Sequence, residues 1–318
     1  MDSFIYSLNA TVPVFAVMAA GYLLRRMGLL NEAFVAVANK LVFQVCLPCM
    51  LFLDLCSVDI RHHFDGPYIG FCAGVTLGSI LVIWILAKVC IRDKTQVGAF
   101  VQASYRSSAA ILGIAFIQNI YGDSGMGPLM IIGAVPLYNI FAVTILTVES
   151  NDSSIRQDQN RIRSTCFNIL KNPIIIGIVL GMLASLLPWK LPQMLEKSIQ
   201  SIGNLASPLA LIAIGAGFEG KQALGKLKSS LAAAFIKLIG LTAVVLPIAV
   251  WFGFRDQKLL ALIIMLGSPT TPTAYIMAKN MHGDEVLSAS VIVITTLLSA
   301  VTLTFWIFLM RYMGYLAG

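Results

Sequence analysis

Charge is what this sequence has least of. Asp, Glu, Lys and Arg together make up 12% of 318 residues, about half the share found in a soluble domain. The chain therefore cannot furnish a water-facing surface around a globule of its size. Strand-like alternation is missing as well: no run of roughly ten residues alternates apolar with polar side chains, as a membrane β-barrel requires. The 15 acidic residues fall in connections or near the ends of apolar blocks, Asp54 and Glu219 being the deepest. The 3 histidines, His62, His63 and His282, all lie in connections. Carriers driven by protons or sodium often hold Asp, Glu or His at mid-membrane, and none is expected here. No HExxH, GxSxG or P-loop pattern occurs, which argues against a membrane enzyme or an ATP-driven pump. The 6 cysteines include one CxxC, Cys46 and Cys49. It reads either as a metal or redox pair or as two small apolar residues one helical turn apart. No second pair or histidine cluster completes a ligand set, so no metal and no other cofactor is expected.

What is present is apolar and comes in long blocks. Hydrophobic residues make up 58% of the chain, in ten blocks at about 4–24, 36–56, 67–90, 97–121, 127–148, 173–189, 199–219, 230–252, 258–281 and 286–312. A helix needs about 20 residues to cross a hydrocarbon core, a length the sixth block only just attains. The pattern predicts an all-α polytopic membrane protein with ten transmembrane helices, surrounded by the lipid bilayer of the cell (cytoplasmic) membrane. The first block has no cleavage-site pattern and reads as a span rather than a removed signal.

The net charge of +7 has a cause other than nucleic acid, which is not an expected partner. Taking the connections alternately, one side holds Arg25, Arg26, Lys40, Lys88, Arg92, Lys94, Arg156, Arg161, Arg163, Lys171, Lys221, Lys226, Lys228 and Lys279. The other holds Arg61, Lys190, Lys197, Arg255, Lys258 and Arg311. By the positive-inside rule the richer side is cytoplasmic, which puts both termini outside and the central loop in the cytoplasm.

That loop, 149–172, is the only strongly polar stretch. It divides the chain into 1–148 and 173–318, each with five blocks. An odd number of crossings per half forces the halves into opposite orientation, as in inverted-repeat transporters. Weak internal symmetry agrees. Pro48 interrupts the second block and Pro208 the seventh. The fourth contains SYRSSAAILG and the ninth GSPTTPTAY, with Pro269 and Pro272. Interrupted spans at matched positions point to a midplane binding site.

The opening run PVFAVMAAGYLLRRMGLLNEAFVAVANKLVFQVCLPCMLF and the closing run SPTTPTAYIMAKNMHGDEVLSASVIVITTLLSAVTLTFWIFLM resemble the auxin efflux carrier family, part of the bile acid/auxin carrier-like superfamily. The likeness covers essentially the whole chain, and the short central loop is that of bacterial members. It implies spans one, two, six and seven as a scaffold, and spans three to five and eight to ten as a transport domain moving like an elevator. It also implies broken spans four and nine crossing in an X, and a homodimer through the scaffold. Many bacterial members carry Arg-x-Asn and then Gly-x-Pro at the fourth-span break. Here Arg106 and Gly113 match, while Ser108 and Ala115 replace the Asn and the Pro. A less sharply broken fourth span follows from that departure.

The candidate site draws on four groups: Arg106 with Ser107 and Ser108; Thr270, Thr271 and Thr273; Tyr138 with Asn139; and Gln44, one turn before Pro48. Arg106 is about 13 Å into its span at 1.5 Å per residue, with no acidic residue expected at its depth. A helix break exposes N–H groups and a dipole that favour an anion, and hydroxyls and an amide can orient carboxylate oxygens. Each Ser or Thr is equally readable as back-bonding to its own helix. Gln44 reads either as a substrate contact or as a partner for backbone freed by Pro48. Lys237, in the eighth block, reads as snorkelling to the cytoplasmic interface. The expected function is secondary transport of small organic anions, mono- or dicarboxylates. The alternatives are a carrier of amino acids or other zwitterionic or neutral solutes, and a membrane ligand sensor that does not transport.

Overall fold

The computed structural model describes residues 2–56, 65–109, 117, 126–150, 161–186, 191–218 and 220–316. Among these residues the structure is helical, with no strand. The helices are α1 (Asp2–Arg26), α2 (Glu32–Cys56), α3 (Gly66–Cys90), α4 (Val97–Tyr105), α5 (Gly127–Val148), α6 (Arg161–Leu170), α7 (Pro173–Leu186), α8 (Gln193–Ala216), α9 (Gly220–Gly225), α10 (Leu227–Trp251), α11 (Asp256–Gly267), α12 (Thr273–Asn280) and α13 (Glu285–Tyr312). Six of them, α2, α3, α5, α8, α10 and α13, are long and apolar enough to cross a membrane unaided, and α7 is a shorter apolar helix. Caps fix several starts: the Phe34 N–H donates to Asn31 Oδ1 at 2.8 Å, Tyr68 N–H to Asp65 at 3.1 Å and Leu287 N–H to Asp284 at 2.9 Å. Each satisfies a donor that the first turn leaves free.

Interruptions in the sequence become interruptions in the helices. In the ninth block α11 ends at Gly267, Ser268 is extended (φ −72°, ψ 155°), and helix resumes at Thr273. The residue before a proline is pushed out of the helical region, and Pro269 enforces this. The fourth block is interrupted as well. Without any proline, α4 still stops at Tyr105, and Arg106 is extended at φ −68°, ψ 136°. Gly113 and Ala115 lie outside the described residues. Pro48 has no N–H to give the Gln44 carbonyl, and α2 widens into a π-turn over Val42–Cys46 just before it. Pro208 likewise denies the Asn204 carbonyl, and α8 turns at Asn204–Leu205. The polar central stretch contains a helix of its own, α6, which its composition did not suggest.

Two helix pairs approach backbone to backbone through glycine. In the α1–α8 pair, a Cβ on Gly215 would stand 1.9 Å from the Met18 carbonyl oxygen, and one on Gly21 2.4 Å from that of Ile212. In the α2–α7 pair, Gly177 and Gly181 would each place a Cβ 2.7 Å from a carbonyl oxygen, of Pro48 and Phe52 respectively. Small residues allow this closeness where lipid offers no hydrophobic drive to association. The remaining long helices pack mainly among themselves, α3 on α5 and α10 on α13, and contacts of α1 with α13 and α5 with α7 join the two sets.

Connections that the charge count places on one side also touch. Lys226 pairs with Asp284 at 2.9 Å and Asp93 at 3.5 Å, and Lys88 with Glu149 at 2.9 Å. Hydrogen bonds from the Thr95 and Gln96 side chains hold the Asp93 carboxyl well below the usual carboxylate range, and Lys226 adds to this. From the opposite set, Lys258 pairs with Asp65 at 2.5 Å.

The glycine contacts make a direct prediction. Gly215→Ala forces the α1 and α8 backbones apart and costs about 1–3 kcal/mol, seen as a lower thermal midpoint in detergent. Gly78→Ala, where nothing lies within 4 Å of the added Cβ, leaves the midpoint unchanged or raises it. Equal midpoints for the two variants would contradict the packing.

Candidate functional site

The two interruptions meet and satisfy each other's backbone. Ser108 N–H donates to the Pro269 carbonyl at 3.0 Å. The Thr270 hydroxyl donates to the Ala103 carbonyl at 2.7 Å, while the Thr270 N–H donates to Thr295 Oγ1 at 3.1 Å. Ser107 and Ser268, the one following and the other forming the first extended residue of its break, share a hydrogen bond of 2.5 Å between hydroxyls. Polar backbone without helix partners is tolerated at membrane depth only where protein or water completes it. Here each break completes the other.

Arg106 projects from this crossing and is 4% exposed. Its Nε donates to Thr271 Oγ1 at 2.9 Å and to Thr273 Oγ1 at 3.1 Å, and the two hydroxyls lie 2.6 Å apart. Its Nη2 donates to Asn139 Oδ1 at 2.6 Å and its Nη1 to the Met277 sulfur at 3.3 Å. Asn139 is oriented by its own amide, whose Nδ2 donates to the Val135 carbonyl at 2.9 Å. Every acceptor around the guanidinium is neutral. Each terminal nitrogen keeps a second N–H with no partner among the described residues, which show no ion pair to Arg106.

A cavity of about 40 Å³ opens beside it, lined on one side by Arg106, Ser107, Ser108, Tyr138, Asn139, Thr271 and Thr273. That volume admits roughly two or three waters. The opposite wall is Met50, Leu51 and Asp54 of α2 and Ser207 of α8. Asp54, placed near a block end in the sequence, is thus one of the residues lining the cavity of Arg106. Glu219 lies outside the described residues.

The other sequence candidates divide. Thr270 is 1% exposed and spends its hydroxyl on the crossing, so it braces the cavity without lining it. Gln44 is exposed and stands apart from the cavity. Pro269 and Pro272 shape the ninth-block break, while Pro48 and Pro208 flank the α2 and α8 residues of the far wall. Met277, one turn beyond Thr273, was missed; its only signal is the helical spacing i, i+4. A second cavity of about 450 Å³ lies past α12, lined among others by Tyr22, Arg25, Glu32, Tyr275, Lys279 and Glu285.

Lys237 does not snorkel. It is wholly buried, and its Nζ donates to the Leu266 carbonyl at 2.5 Å and the Met265 carbonyl at 3.4 Å. These close the last turn of α11, where the helix dipole is negative and the carbonyls have no intrahelical partners. The residue sits in a π-turn, Ile236–Gly240, that displaces the chain locally. Among the described residues no cluster of His, Cys, Asp and Glu could hold a metal.

The chain matches the model of the family described as membrane transport protein over residues 6–307. It is 22% identical over 309 residues to an uncharacterized transporter of Methanothermobacter thermautotrophicus, covering 95% of this chain and 98% of that one. It is 23% identical over 313 residues to the uncharacterized transporter YfdV of Escherichia coli, covering 96% and 98%.

The buried amine supplies the test for this region. Lys237→Met takes from the Leu266 carbonyl its side-chain partner and lowers stability in detergent by about 1–3 kcal/mol, whereas Lys228→Met, at an exposed position, has no effect. A Lys237→Met protein as stable as the parent would show that the α11 terminus does not need the cap.

Proposed function

The chain belongs to the membrane transport protein family, and from that premise we propose that it carries small organic anions, mono- or dicarboxylates, across the cell membrane by alternating access of the elevator type. One observation carries the reading of the cargo. Arg106 is buried among neutral acceptors, keeps N–H groups without a partner among the described residues, and lines a cavity. Burying a guanidinium at mid-membrane depth costs about 3 kcal/mol, and a planar fork is suited to the two oxygens of a carboxylate. Thr271, Thr273, Asn139 and Tyr138 supply the neutral polar surface that orients those oxygens. The cavity is small in this conformation, which suits a compact solute.

The packing supports the mechanistic part. The glycine-paired helices α1, α2, α7 and α8 form the proposed scaffold, and α3–α5 with α10–α13 form the proposed transport domain that bears Arg106. Residues 1–148 and 173–318 are then inverted halves, joined by a cytoplasmic connection at 149–172, with both termini outside. A homodimer through the scaffold belongs to the same reading. A second reading is favoured by Asp54: a cavity with a guanidinium on one wall and a carboxylate on the other suits the two charges of an amino acid.

The test is a thermal-shift screen of purified protein against acetate, L-lactate, malonate, succinate, L-malate, glycine and L-alanine, since a ligand of the native state raises apparent stability. A carboxylate gives the largest shift. Arg106→Lys keeps its fold and binds about ten- to a hundredfold more weakly, the worth of one charge-assisted hydrogen bond. Arg106→Gln folds and loses the shift. Undiminished carboxylate binding by Arg106→Gln would sink the assignment, and a larger shift with an amino acid would replace it by the second reading.

A further inference from the structure

Asp54 has no hydrogen bond or ion pair among the described residues, yet it lines the cavity that holds Arg106. It is half-buried on α2, across from the crossing. The lining it shares is apolar at Met50, Leu51 and Val135 and polar at Ser207, Tyr138 and the residues around Arg106. Among the elements packed against this half of α2, α7 contributes no titratable side chain over its length, and α8 brings Glu196 and Lys197. Arg106 stands on the far wall, and Cys49 and Cys56 lie on α2 itself. Residues 57–64, with Asp59, Arg61, His62 and His63, lie outside the described residues.

An anion entering beside Arg106 shares a small cavity with a second carboxylate. Like charges that share a site raise the proton affinity of one of them. Charge balance points the same way. With the cavity empty, Arg106 and an ionised Asp54 cancel. With a monovalent anion bound, cancellation requires that Asp54 be neutral. The alternative use of Asp54 is to grip an ammonium group. An ammonium has three donors to satisfy, whereas a protonated carboxyl needs a single acceptor and tolerates apolar neighbours.

We propose that Asp54 is a proton-binding group linked to the anion site: as a carboxylate binds at Arg106, one Asp54 oxygen takes a proton from the buffer acid in solution, and the proton returns to the solution when the anion leaves. The step is a simple proton transfer with no redox change, and it makes the site a proton-linked anion receptor. It rests on the carboxylate reading above, and it replaces the expectation drawn from the sequence that no side chain of the protein takes part in proton linkage.

The experiment measures affinity for the best binder among acetate, L-lactate and L-malate, by calorimetry of the detergent-purified protein between mildly acidic and mildly alkaline pH. Buffers of different ionisation enthalpy report the protons taken up. The parent takes up about one proton per anion and loses affinity about tenfold per pH unit on the alkaline side. Asp54→Asn binds with no pH dependence and no proton uptake, and Asp54→Glu restores both. Should Asp54→Asn not fold, proton uptake by the parent and the behaviour of Asp54→Glu decide the matter. Binding that is lost in Arg106→Gln but insensitive to pH in the parent overturns the proton linkage alone, as does a parent-like pH slope in Asp54→Asn. Failure of all three anions to bind at any pH overturns the linkage together with the carboxylate reading.

Discussion

A backbone inside a membrane cannot leave its polar groups bare, and the centre of this protein is arranged around that constraint. Two helices, α4 and α11, stop at adjoining interruptions, and several of the polar groups there are taken up by each other. Ser108 bonds Pro269, Thr270 bonds Ala103, and Ser107 bonds Ser268. An unsatisfied group in a hydrocarbon setting costs several kcal/mol, so each break stabilises the other. The crossing then fixes where Arg106, Thr271 and Thr273 point, because each is on or beside a residue whose backbone is already committed.

The charges follow from the same arrangement. Half-helices end in carbonyls, and Lys237 closes the end of α11 from a neighbouring helix. Arg106 has no such role: its partners are hydroxyls, an amide oxygen and a sulfur. Three neutral polar side chains are enough to hold the guanidinium's orientation but not to cancel its charge. The nearest compensating group in the cavity wall is Asp54, on a helix belonging to the glycine-paired set. Cation and carboxylate therefore line one cavity from helices of different packing sets.

Several parts of this were legible in the sequence, for identifiable reasons. Long apolar blocks have few stable solutions in a bilayer, so helices were readable from composition alone. Prolines announce their effect locally, and Pro48, Pro208 and Pro269 each coincide with a distortion. Arg106, Asn139, Thr271 and Thr273 stood out because polar groups in apolar blocks need partners. The start of the fourth-block break has a cause that is not local: Arg106 leaves the helix without a proline, and the extended conformation is completed by hydrogen bonds with a segment more than 160 positions away. Gly113, the local signal, lies beyond what is described.

The sequence by itself determined the helical class, the membrane setting, the interruption of the ninth block and the kinds of side chain available at mid-depth. These depend on properties that act over a few residues: hydropathy, ring geometry and the cost of a buried polar group. Only the tertiary structure decided which of those side chains share a cavity. It brought Asp54 to Arg106, withdrew Gln44 and Thr270 from the lining, and turned Lys237 inward to a helix end. Distance along a chain sets depth in the membrane, but the rotation of a helix about its axis is fixed by its neighbours, and that rotation determines whether a polar group meets the cavity, the protein or the surroundings.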